Sequence, residues 1–127
     1  MHPEVTHPPA AQKGPTPEQR AHLDAEVALW LELLGRLVNT RRNELEMSQQ
    51  EMAARAGLSR TCLHHIEHGD TDEKITTLFR VCRALRMGFA EVVAHLEHLL
   101  EHPEDRPPKT LPKSQRGKNT RRSPQRR

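Results

Sequence analysis

Two glycines, Gly57 and Gly69, enclose the stretch GLSRTCLHHIEHG, and SQQEMAARA stands directly before it. Ser48 and Ser59 are both placed to accept a bond from a backbone N–H three residues on, with Glu51 able to return one to the Ser48 N–H. Gly57 can take the left-handed conformation that stops one helix and turns the chain towards the next. The pattern therefore predicts two helices of about two to three turns each, joined by a tight glycine turn. In a helix starting at Ser59, Leu63 and Ile66 point to one side, towards the core, and Arg60, Thr61, His64 and His65 to the other.

The rest of the chain gives that pair something to pack on. TPEQ marks a helix start near Pro17: Thr16 caps, Pro17 suits the first helical position, and Gln19 completes a capping box. Leu23, Val27, Trp30, Leu34, Leu37 and Arg41 then follow at alternating spacings of four and three, one stripe of a helix. Gly35 interrupts the stripe, so the pattern allows one long helix or two. A fourth helix carries Leu78, Phe79, Val81, Cys82 and Leu85, with Asp72 as a replacement cap. A fifth has Phe89, Val92, Val93, Leu96, Leu99 and Leu100 on one face and stops at Pro103. There is no strand signal, and the fold class expected is all-α.

Charge divides the chain differently from hydropathy. Arg106 to Arg127 contains nine Lys or Arg and no acid, whereas the remaining eleven basic side chains face seventeen acidic ones, a net −6. Such a run cannot bury enough apolar surface to offset its ordering entropy, so 103–127 reads as a disordered basic tail suited to polyanions. Residues 1–15 read as a disordered Pro-rich lead-in, leaving 16–102 as the folded domain. No signal-peptide pattern and no run of eighteen apolar residues occurs, which predicts a soluble cytoplasmic protein with no membrane partner. Cys62 and Cys82 lack the spacing of a thiolate metal site or a redox pair.

The exposed side of the third helix carries the chemistry that base edges require. An arginine forks onto guanine, a threonine bonds a base or meets a thymine methyl, and a histidine donates or accepts in the major groove. At the start of the second helix, Gln49 offers a side chain and a backbone amide to a phosphate. The whole arrangement resembles the Cro and lambda-repressor type helix-turn-helix regulators, the xenobiotic-response-element family. LVNTRRNELEMSQQEMAARAGLSRTCLHHIEHG and TTLFRVCRAL carry the likeness, from about Leu34 to Val93. The resemblance implies a five-helix domain with the third helix as recognition helix. It makes Arg60, Thr61, His64 and His65 base readers, and Gln49, Ser59 and His68 phosphate contacts. It also implies a structural ion pair between Arg42 and Glu67, and double-stranded DNA as partner.

The chain departs from that family in two places. Where basic or polar residues and a Pro-Ser helix start are usual, it has DTDEKI, whose acids repel a phosphate backbone. The tail would compensate as a salt-sensitive tether. Extra helix also extends both ends, from Pro17 to Trp30 and from Ala94 to Glu101. Half-sites one DNA turn apart need recognition helices held about 34 Å apart, which a homodimer supplies. The extensions are the surfaces to form it, unless they pack on each other within one chain.

His64 and His68, and His95, His98 and His102, share helical faces where two imidazoles could bind a divalent ion, but a closed site needs more ligands and the nearby Cys62, Glu67 and Glu101 are surface choices or turned inward, so no metal site or cofactor is expected. Nothing matches a nucleophile elbow, a zinc-protease helix or a Gly-rich phosphate loop, and one tryptophan, two phenylalanines and no tyrosine are poor material for a pocket. The expected role is therefore a non-enzymatic transcription regulator, a repressor dimer on a pseudo-palindromic operator. The alternatives are an antitoxin, with a toxin or other regulator as protein partner, and a protein-interaction module.

Overall fold

The computed structural model describes residues 14–108, and no strand occurs among them. Five helices make the domain: α1 Pro17–Glu44, α2 Gln49–Ala56, α3 Arg60–Glu67, α4 Ile75–Ala84 and α5 Phe89–Glu101, followed by a 3-10 turn at Pro103–Asp105. The all-α, helix-turn-helix architecture expected from the sequence is the one the chain has. No helix among the described residues is long and apolar enough to cross a membrane.

The helix starts follow from local chemistry. Thr16 Oγ1 accepts from the Gln19 N–H at 3.1 Å, and the Thr16 N–H donates to Gln19 Oε1 at 3.0 Å. Ser48 and Ser59 cap α2 and α3, each accepting at 3.0 Å from the N–H of Glu51 and Cys62. The reciprocal bond expected from Glu51 is replaced by an exposed pairing with Arg55 at 3.5 Å. Gly57 stands at φ 73°, ψ 34° between the two helices, in the left-handed region where a Cβ is costly. Asp72 does not cap α4: Lys74 holds that position and makes no side-chain cap bond.

α1 is one uninterrupted helix through Gly35, which settles the choice the sequence left open. Its two ends have different surroundings. Every residue from 17 to 28 is exposed, with Leu23 at 53% and Val27 at 46%, whereas Leu33, Leu34 and Val38 are buried. Over that first stretch the terminal extensions therefore do not pack on each other.

The buried cluster joins Leu33, Leu34 and Val38 to Met52 and Ala53 of α2, Leu63 and Ile66 of α3, Val81 and Cys82 of α4, and Val92, Leu96 and Leu99 of α5. Burying a Leu, Val or Met side chain stabilises by about 1.5–3 kcal/mol, and this cluster is where α1 holds both α3 and α5. The described chain continues past the boundary expected at 103. Residues 103–108 are docked, because Arg106 donates from Nε to the Leu99 carbonyl at 2.8 Å and from Nη2 to that of Leu100 at 3.0 Å. Arg36 Nη1 donates to the Pro107 carbonyl at 3.1 Å. The remainder of the expected tail, 109–127, and the lead-in up to 13 lie outside the described residues.

Candidate nucleic-acid interface

α3 divides into two faces at its own buried residues. Leu63, Ile66 and Glu67 are buried, while Arg60, Thr61, His64, His65 and the flanking Ser59 and His68 are exposed. Arg60 has no hydrogen-bond or ion-pair partner among the described residues, so its guanidinium is free to fork onto an acceptor pair. Thr61 stands beside it on the first turn. Ser59 Oγ accepts the cap bond and keeps its O–H to donate.

The histidines are arranged around one another. The His64 ring lies 5.7 Å from that of His65 and 4.1 Å from that of His68. His68 Nδ1–H donates to the His64 carbonyl at 2.9 Å, which turns its Nε2 outward. His65 Nδ1 is 3.7 Å from Asp70 Oδ2, beyond hydrogen-bond length. That carboxylate beside the face is the local repulsion expected from the DTDEKI stretch.

Behind this face a buried carboxylate fixes the helix. The Glu67 side chain is 2% exposed and the Arg42 side chain 11%. Arg42 donates from Nε to Glu67 Oε2 at 2.6 Å and from Nη2 to Oε1 at 3.1 Å, a two-pronged pairing. Its Nη1 donates to the Met47 carbonyl at 2.7 Å. Asn39 Nδ2 and Gln49 Nε2 also donate to Glu67 Oε1, at 3.0 and 3.1 Å. One carboxylate thus ties the end of α3 to α1 and to the start of α2. The sequence pointed to the arginine alone as the partner of Glu67: Gln49 was expected at a phosphate, and Asn39 had no assigned role.

Gln49 is consequently committed in part to the protein itself. Its side chain is half-buried and turned to Glu67, leaving a second amide hydrogen and the backbone N–H at the first position of α2 to face a phosphate. Arg80, which lies in the TTLFRVCRAL stretch but was given no site role, is exposed on α4, and its Nη1 would lie 2.8 Å from a Cβ on Gly57. It sets a cation against the turn between α2 and α3.

The geometry of α2, the glycine turn and α3 coincides with what a comparison of families finds: the helix-turn-helix family model matches residues 38–92. Residues 38–92 are a helix-turn-helix domain of the Cro/C1 type. The helix-turn-helix domain begins in the second half of α1 and ends in the first turn of α5, so the exposed start of α1 lies outside it. It is a DNA-binding domain. No curated protein matches the chain.

The thiols add no chemistry to the helix-turn-helix domain. Both are free, and burial pushes Cys82 up against the opposing charge of Arg83. Cys62 is raised by its burial first, then by the charge of Glu73 and a hydrogen bond to it. A raised thiol pKa disfavours the thiolate, the form that acts as nucleophile or metal ligand.

Proposed function

We propose that this protein is a sequence-specific transcriptional regulator that lays α3 in the major groove of double-stranded DNA. The observation that carries the reading is the uncommitted polar face of α3, with Arg60, Thr61, His64 and His65 outward, fastened from behind through Glu67 to α1 and α2. A rigid helix presenting unpaired donors is what discrimination between base pairs requires, since a misplaced donor loses its partner. In this reading Ser59, His68 and the N-terminus of α2 at Gln49 hold phosphates and set the register, and contribute no sequence information.

The protein acts as a repressor dimer in the cytoplasm, occupying a pseudo-palindromic site. Leu23 and Val27, on the part of α1 that projects beyond the packed domain, are the apolar surface available for the second copy. The folded unit is 16–108. The basic run after it supplies nonspecific, salt-sensitive affinity that offsets the acids at Asp70 and Asp72.

Arg60→Ala tests the reading. Affinity for the preferred duplex should fall by about 1–3 kcal/mol, and selectivity should relax at one base pair per half-site. An equal loss on unrelated DNA would reduce Arg60 to a phosphate contact and contradict base reading by that side chain. In the same titration, a chain ending at Pro108 should show a flatter dependence on salt with its sequence preference intact. A changed preference would mean that the tail reads bases.

A further inference from the structure

A second cluster lies at the end of α5, where Pro103 ends the helix and the 3-10 turn carries the chain back over its last turn. His98 and His102 are stacked there, ring centroids 4.3 Å apart and planes 22° from parallel, and the His95 ring follows at 6.4 Å from that of His98. The turn brings two carboxylates to them. Asp105 Oδ2 lies 2.7 Å from His98 Nε2, and Glu104 Oε2 lies 3.1 Å from His102 Nδ1. The ligand atoms of His102, Glu104 and Asp105 are all within 4.8 Å of one another.

We propose that His98, His102, Glu104 and Asp105 form a binding site for a divalent transition metal of the zinc class. Imidazole nitrogens with carboxylate oxygens are the borderline donor set that favours zinc over magnesium or calcium, which take oxygen alone. Two carboxylates and two neutral imidazoles together balance a dication. The metal would take the place of the hydrogens that now join His98 to Asp105 and His102 to Glu104.

Tetrahedral zinc with bonds of about 2.0–2.2 Å needs ligand atoms roughly 3.3–3.6 Å apart, so the pairs now at 2.7 and 3.1 Å must open while the wider separations among His102, Glu104 and Asp105, up to 4.8 Å, close. Nothing rigid opposes this, because the side chains of His98, Asp105, His102 and Glu104 are about half exposed or more and rotate without disturbing the core. The carbonyl end of α5 adds a negative potential that favours a cation. Arg106, next in the chain to Asp105, is turned to the Leu99 and Leu100 carbonyls. Zinc bound there fastens 103–108 to α5, at the point where the basic run leaves the domain.

The site does not depend on how α3 is used, and zinc chloride alone is the probe. Calorimetric titration of the full chain should show one saturable event with micromolar affinity. His98→Ala and, separately, Asp105→Asn should each weaken it at least tenfold. Replacing both His64 and His68 by Ala removes the close histidine pair of α3, ring centroids 4.1 Å apart, and should leave the event unchanged within about twofold. Absence of saturable binding, survival of the event in either α5-end variant, or its loss in the His64/His68 variant would overturn the proposal.

Discussion

Replacing Glu67 by Ala should cost the domain about 3–5 kcal/mol, the range for breaking a buried ion pair by removing one partner. Three side chains lose their acceptor at once. Arg42, 11% exposed, would keep its charge with no carboxylate to meet it, and the amides of Asn39 and Gln49 would face an apolar gap. The cost should be strongly non-additive. Adding Arg42→Ala to Glu67→Ala should cost well under the sum of the two single changes, because the second change removes the stranded charge. Urea denaturation of the two single variants and the double variant checks both claims. A loss below about 1 kcal/mol for Glu67→Ala, or simple additivity, would show that the pair does not organise the domain.

Gly35→Ala should destabilise by about 2 kcal/mol or more, although alanine is the better helix former by about 1 kcal/mol. A Cβ at this position would stand 2.5 Å from the Glu67 carbonyl oxygen, 2.7 Å from that of Ile66 and 2.8 Å from the Glu67 carbonyl carbon. These are backbone atoms, so no rotamer change relieves the contact. α1 and the end of α3 would have to separate by about an ångström, loosening the core and shifting the recognition face with it. The same denaturation series gives the sign. A gain in stability would mean that the two helices have slack and that the glycine is a matter of local preference.

Gly35 also shows where the sequence stopped being informative. Within the helical stripe it looked like a place for a break, because pattern records spacing along one chain segment and not the backbone of another segment thirty residues away. What local bonding decides was legible: the Thr16, Ser48 and Ser59 caps, the left-handed Gly57, and the division of α3 into buried and exposed sides all follow from neighbours within four residues. The likeness of the helix-turn-helix segment to a known family rested on the same residues. What the pattern did not show lies where distance in sequence is bridged or where several groups compete for one end. Asp72 lost the α4 cap to an uncapped start at Lys74, and Gln49 was drawn to Glu67. The histidines of α5 looked unaccompanied until the turn at Pro103 carried Glu104 and Asp105 back to them. Arg106, counted with the basic tail by charge, is held by carbonyls that only a folded α5 presents.

That α3 reads base edges is tested most directly by selecting bound duplexes from a random DNA library with the full chain at about 150 mM salt, where the Debye length is about 8 Å and surface charge is largely screened. The expected result is a two-fold symmetric motif, with half-sites about one helical turn apart, as a dimer presenting two α3 helices would leave. Retention of DNA without any enriched motif would contradict the account, leaving α3 a surface that holds phosphates or protein and reads no sequence.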